Sequence, residues 1–341
     1  MLDRDLLRLI GRRIVGLIPV MFGIAIIVFL VFSFVPGDPI TMLIGKQSDV
    51  SEEFIQQLRH KYGLDRPLYV RFFYFLRQLV HGDVGTSYQF NRPALEVVLE
   101  RLPATVELAL FALAVAIVIA IPAGIFAALK GGAVDRGIVG LSVVGFSMPN
   151  FWIAMLLILV FGTTLKVLPI SGRLDVTLTV ERVTGFYILD GILAGDWEVV
   201  RSALSHIILP ALSLGIPAAA LIVRLLRNNL ISVLGAEFIR AARARGLRES
   251  VVIYKHALRN ALIPTINIVA LQLGFFLTGS FFVETVFAWP GMGRLAVDAI
   301  YARDYPVVIA AVMISALFFV LSNLLADILI LVTDPRTRGV R

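Results

Sequence analysis

The sequence predicts an all-α, polytopic membrane protein with six transmembrane helices, and three observations carry that prediction. Of the 341 residues, 58% are hydrophobic and only 16% are charged. A soluble domain lies nearer 45–50% and about 25%. The apolar residues are also clustered: residues 14–35, "IVGLIPVMFGIAIIVFLVFSFV", contain no charge. A helix rising 1.5 Å per residue needs ~20 residues to cross a hydrocarbon layer of ~30 Å. Finally, five further apolar runs follow, over 104–129, 137–164, 207–223, 261–283 and 307–332.

Each element has its own justification. Arg12-Arg13 ahead of the first run resembles a secretory leader, but the run is too long for one and leads into "PGDP" rather than a small-residue cleavage site. It is read as an uncleaved first span, giving a first unit over 1–35. Residues 36–103 form the one large hydrophilic block, with eight basic and eight acidic residues. Within it, "SEEFIQQLRHKYGL" places Phe54, Ile55, Leu58 and Tyr62 at helical spacing behind a Ser51 cap. "RPLYVRFFYFLRQLVHGDVGTSY" predicts a second amphipathic helix ended by glycines, and the block is expected to form a small extracytoplasmic lid.

The membrane core is placed at 104–332, with a short tail over 333–341. Its first span carries Ala112, Ala116, Ala120 and Gly124 at four-residue spacing, a stripe for close helix contact. In the next, Ser147 beside Pro149 predicts a bend. The 207–223 run is short and contains Pro210 and Pro217, so it is expected to be kinked and buried in protein. A second hydrophilic block precedes it at 165–206. The spans hold only two charges, Glu107 and Asp327, both near helix ends, from which snorkelling to water is expected. That placement argues against a proton-coupled carrier, whose ionisable groups sit nearer midplane.

Charge sets the orientation. Of the 31 Lys and Arg residues, 17 fall in 1–13, 130–136, 224–260 and 333–341, against six in 165–206 and 284–306. The other eight lie in the long 36–103 block, which translocates largely regardless of charge. Both termini are therefore expected on the cytoplasmic side of a multi-pass membrane protein. The same asymmetry accounts for the net charge of +7 without a nucleic-acid partner.

Several chemistries find no support. There is no cysteine, hence no disulfide, and no Cys/His cluster or H-E-x-x-H string for a metal. Gly291 to Ala296 match G-x-G-x-x-A, but Trp289-Pro290 precede them where a dinucleotide site needs a strand. No G-x-x-x-x-G-K-[ST] string is present, so no nucleotide cofactor is expected in this chain. An intramembrane serine hydrolase using Ser147 would need a histidine base. His60, His81, His206 and His256 all fall in loops or at span ends, which favours a packing role for the serine.

Two regions are singled out as functional. On the fifth span, Asn267, Leu271, Gly274 and Thr278 share one helical face. The face mixes an amide, a gap and a hydroxyl, which suits either a substrate path or a packing surface. The second region is the basic stretch "EFIRAARARGLRESVVIYKHALRNALIP" over 237–264, within a cytoplasmic segment placed at 229–260. It predicts a helix, a break at Gly246 and a second helix running into the fifth span. Such an elbow can make mechanical contact with another protein; a polybasic loop against anionic lipid is the plainer reading.

This stretch resembles the coupling loop of permease subunits in binding-protein-dependent ABC importers, E-A-A-x-x-x-G followed by I-x-L-P. Ala241, Ala242 and Gly246 hold the alanines and glycine, and Arg240 stands at the glutamate position. His256-Ala257-Leu258-Arg259 replaces I-x-L-P, with the proline displaced to Pro264. That departure is similar to the branch serving dipeptides, oligopeptides, nickel and glutathione. "FVPGDP", "GDVGTS", "LPISGR" and "VETVFAWPGMGRLAVDAI" fit the same branch. The resemblance implies a bacterial inner-membrane permease for dipeptides or oligopeptides, with nickel or glutathione as alternatives. It also implies a second homologous permease, two cytoplasmic ATPase subunits that bind ATP-Mg, and an extracytoplasmic solute-binding protein. ATPase coupling would fall to Arg240, Ala241, Ala242, Arg243, Gly246, His256 and Arg259.

Overall fold

The structure is a computed structural model that describes residues 4–34, Gln56 and 65–333. The "PGDP" segment, the helix expected over 51–64 (apart from Gln56) and the tail after 333 lie outside the described residues. The elements are α1 (Arg4–Phe34), α2 (Leu68–Val80), α3 (Ala94–Lys130), α4 (Gly132–Ser147) and α5 (Asn150–Leu157), the last extended by a π-helical turn (Ile158–Thr164). Then come α6 (Tyr187–Ala194), α7 (Trp197–Leu234), α8 (Glu237–Ala244), a π-helical segment (Val251–Ala257) continued as α9 (Leu258–Leu277), α10 (Phe281–Val286), α11 (Met292–Tyr301) and α12 (Tyr305–Thr333). No strand longer than the isolated Thr86–Pro93 bridge occurs among the described residues.

Among the described residues, five helices are long and apolar enough to cross a membrane: those within α1, α3, α7, α9 with the π-helical segment before it, and α12. The pair α4 and α5, bent by 101° at Met148-Pro149, makes a sixth if it counts as one span. The bend expected beside Pro149 is thus a sharp break. Pro149 cannot donate into a helical ladder, and Met148 is extended.

The α3 and α7 helices form the centre. The small stripe Ala112, Ala116 and Ala120 is fully buried. On α7, a Cβ on Gly215 would lie 2.6 Å from Val115 Cγ1 and 2.9 Å from the Ala112 carbonyl oxygen. A side chain is therefore excluded where the two backbones approach. On α7, 72% of the apolar window is buried, against 11% for α1, so α7 is the axis and α1 an outer post.

The sequence underestimates the two central helices. The run at 207–223 is only the apolar middle of a continuous 38-residue helix, with Pro210 and Pro217 inside it. Likewise α3 starts at Ala94, ten residues before the apolar run. Helices do not stop where lipid does: the polar flanks keep helical propensity and still have neighbours to pack on. At its start, α7 is capped by Asp196, whose carboxylate accepts from the N–H groups of Glu198 and Val199 at 3.0 and 3.1 Å. In the opposite direction, the fifth span ends at Leu277 rather than 283, because Gly279 takes a positive φ of 98°.

The helix α2 is found as expected, entered through Pro67 and stopped at His81 and Gly82, the latter with φ +74°. It lies against α1 and α12, with Phe75, Leu76 and Leu79 on Ala25, Val28 and Met313. It does not cover the α3–α7 core.

Candidate coupling elbow and buried polar network

The basic stretch folds as an elbow. Ile239 and Ala242 on α8 are buried with Leu226 and Leu230 of α7 and with Val252, Ala257 and Ala261. These contacts fasten α8 to both flanking spans. At the bend, Gly246 has φ +76°, and nothing lies within 4 Å of where a Cβ would be. The break is therefore demanded by backbone conformation and not by crowding. Arg243 and Glu249 bridge it in a bidentate pair, at 2.6 Å for Nη2–Oε1 and 3.2 Å for Nε–Oε2. The hydrogen bond from Arg243 holds the Glu249 carboxyl below its ordinary range.

The seven predicted coupling residues take different places. Arg240, Ala241, Arg243, Gly246 and Arg259 are exposed, and His256 is half-buried. Ala242 is buried in the elbow's own core. Sequence reasoning did not single out Phe238, Leu247 and Tyr254, which are 45%, 40% and 59% exposed. The signal was present: Phe238 and Ile239 are adjacent, so a helix that buries one must turn the other away.

The suggested path face on α9 is not continuous. Asn267 is exposed and Leu271 half-buried, but Gly274 is buried. A Cβ at Gly274 would lie 3.1 Å from Ser322 Cβ and 3.3 Å from Phe319 Cδ2. Thr278 is the residue after the helix, and its hydroxyl donates to the Phe275 carbonyl at 2.7 Å. Gly274 thus belongs to a packing contact with α12, because two helices approach closest where one lacks a side chain. Gly274→Leu is expected to overfill this contact, at a cost of ~1–3 kcal/mol. The amount of folded complex should fall, with uptake of small and large substrates reduced equally. A selective loss of large substrates would restore the path reading.

On the opposite side of the membrane, α3 anchors two loops. The expectation that Glu107 snorkels to water is overturned. Its carboxylate accepts from Arg173 Nε at 3.0 Å and Nη2 at 2.5 Å, with the two side chains 5% and 2% exposed. Glu107 also accepts from the Ile188 N–H at 3.1 Å, and Arg173 donates to the Gly185 carbonyl at 2.8 Å. The guanidinium lies over the Tyr187 ring at 3.9 Å. A charge near a helix end is driven to water only when no partner reaches it; here the 165–206 block supplies one.

The second loop is held by Glu284, a fully buried side chain. Thr105 Oγ1 donates to it at 3.0 Å and the Arg294 N–H at 2.9 Å. Burial pushes its pKa up, and these donors oppose the shift. A Cβ on Gly291 would lie 2.5–2.7 Å from this carboxylate, and one on Gly293 3.0 Å. The G-x-G pair that imitates a nucleotide site is thus a cradle for the Glu284 carboxyl group. Trp289 Nε1 donates to the Ala104 carbonyl at 2.9 Å, and Met292 N–H to Thr105 Oγ1 at 2.8 Å. Asp304, also fully buried, accepts from Ser87 Oγ and from the Gln89 N–H at 3.1 Å. The strings "LPISGR" and "VETVFAWPGMGR" therefore supply parts of one buried polar network at the start of α3, and "GDVGTS" supplies the Ser87 that holds Asp304.

Comparison with known proteins follows this geometry. Residues 120–339 match the family described as binding-protein-dependent transport system inner membrane component. Residues 6–109 match its N-terminal companion family. The di/tripeptide transport system permease protein of Pseudomonas aeruginosa is 38% identical over 98% of this chain and 100% of its own length. The oligopeptide transport system permease protein of Bacillus subtilis is 39% identical over 95% of this chain and 97% of its own. A glutathione transport system permease protein of Escherichia coli is 36% identical over 98% and 99%.

Proposed function

The chain belongs to the family of inner-membrane components of binding-protein-dependent transport systems, and we propose on that premise that it is a permease subunit importing dipeptides or oligopeptides. An extracytoplasmic solute-binding protein delivers the peptide, and a second homologous permease completes the pathway. Two cytoplasmic ATPases bind ATP-Mg and drive the cycle.

The observation that carries this reading is the elbow. It is packed rigidly between α7 and α9, yet presents Phe238, Arg240, Leu247 and Tyr254 outward. Apolar side chains exposed among arginines suit a protein groove better than a lipid headgroup surface. Closure of an ATPase pair would carry the elbow as a rigid body and rock the attached spans, opening the cavity alternately to either side. Arg227 donates to Asp135 at 2.8 Å through Nε, so the α4 end follows the same movement.

Peptide cargo rests on the names of the full-length relatives. Nickel or glutathione remains the alternative cargo for the same machine. A serine hydrolase is disfavoured: the Ser147 hydroxyl donates to the Val143 carbonyl at 2.8 Å, and no described hydrogen bond joins it to a histidine.

The test is purification and reconstitution. The tagged chain should bring down two ATPases and a second permease, and take up di- or oligopeptides when given binding protein and ATP. Uptake of nickel or glutathione alone would overturn the peptide assignment; absence of any ATPase would overturn the importer. The cysteine-free chain also allows a test of orientation. Val176→Cys, at a fully exposed position, should label from outside and Arg248→Cys only from the cytoplasm. The opposite pattern would refute the charge-based topology.

A further inference from the structure

We infer that Glu284 is a positioning residue for transport: its carboxylate fastens α11 to α3 as one rigid outer body, and movement between that body and α9 is taken up at Gly279. This rests on the importer reading above.

Four features support it. The N-cap of α11 is Gly291, which has no side chain to satisfy the first N–H groups of the helix. Glu284 supplies the acceptor for the Arg294 N–H, and Thr105 of α3 supplies one for Met292. The start of α11 is thus capped partly by another span, and a carboxylate there also suits the helix dipole.

The fit is closed. Neither Gly291 nor Gly293 can gain a Cβ without displacing the carboxylate or its surroundings. The attachment is also multiple. Trp289 bonds the Ala104 carbonyl, and the Gly172 N–H donates to the Phe287 carbonyl at 2.9 Å. The last contact joins the outer segment to the loop that Glu107 and Arg173 hold. Several buried bonds concentrated on one turn of α3 leave little freedom between α3 and α11.

The connection to α9 is a single turn at Gly279, which packs against Gly293 of α11. The helix ends at Leu277, Thr278 spends its hydroxyl on its own helix, and Gly279 sits at φ +98°. Residues at an element end that absorb large dihedral changes are the usual hinges between rigid parts. The segment that enters α9 from the cytoplasm is the elbow, so α9 carries the elbow's movement up to this point.

Spin-label distances in the full complex test the idea, with and without trapped ATP. One pair joins Leu99→Cys on α3 to Tyr301→Cys on α11; the other joins Phe275→Cys on α9 to Tyr301→Cys. The first distance should stay constant through the cycle and the second should shift. A first distance that changes on ATP binding would overturn the inference. In Glu284→Gln, the first distribution should broaden, and the ATP hydrolysed per peptide imported should rise severalfold per assembled complex. A residue that merely supports folding would lower the amount of complex and leave that ratio unchanged, and an unchanged ratio therefore counts against the role. Should the glutamine variant fail to assemble, Gly291→Ala, which displaces the same carboxylate, takes its place. If the unsubstituted complex hydrolyses ATP but imports no peptide, the transport reading falls, and the two distances still decide whether α3 and α11 move together.

Discussion

Glu107→Ala is expected to destabilise the assembled complex by roughly 3–5 kcal/mol, because removing one partner of a buried ion pair strands the other. Arg173 is 2% exposed and lies over the Tyr187 ring, so it has no short route to water. The loss also leaves the Ile188 N–H without its acceptor. The loop that carries Arg173 should detach, and Gly172, bonded to Phe287, should go with it. The measurement is the thermal unfolding midpoint of purified complex for Glu107→Ala, Arg173→Met and the double variant Glu107→Leu/Arg173→Met. The double variant strands no charge and should be less damaged than Glu107→Ala alone. Its residual cost, about 1–3 kcal/mol for each unpaired buried group, comes from Ile188 N–H and the Gly185 carbonyl. A Glu107→Ala complex as stable as the unsubstituted one would show that the pair contributes nothing.

Gly246→Val is expected to abolish uptake while leaving the protein in the membrane. At φ +76° an ordinary L-residue is disfavoured by ~1–2 kcal/mol, and β-branching adds to that. Open space surrounds the position, so no clash drives misfolding. The chain would instead relieve the strain by rotating the backbone, which re-aims the 251–257 segment relative to α8. Gly246→Asn is the control, since asparagine enters the left-handed region more readily than other side-chain-bearing residues. Uptake per assembled complex should be largely retained in the asparagine variant and lost in the valine variant. Normal transport by Gly246→Val would refute the mechanical role of the elbow. Equal loss in both would show that the backbone conformation is not what matters there.

Hydropathy alone made the membrane class legible, because burial in lipid requires uninterrupted apolar length and nothing else. The same one-dimensional signal misplaced helix ends. It could not see that α7 continues through 197–206 and 224–234, where protein neighbours replace lipid. The elbow was readable as helix, glycine, helix because those are local propensities. That Ala242 faces inward while Phe238 faces outward depends on where α7 and α9 stand.

Local chemistry, then, was determined by the sequence itself: apolar spans, the break at Pro149, the left-handed turn at Gly246, the small stripe on α3 and the basic side of the membrane. Each follows from a few neighbouring residues or from a regular spacing. Partnership was decided only by the tertiary structure. Glu107 meets Arg173 across 66 residues, Thr105 meets Glu284 across 179, and Ser87 meets Asp304 across 217. In the sequence each of these is a polar residue in a loop or near the end of a span, with water as its default partner. Packing brings the two members of each pair together and excludes that water, and burial then makes the hydrogen bond between them the arrangement of lowest free energy. For Gly274 the same packing sets Ser322 and Phe319 of α12 against the place where its Cβ would be.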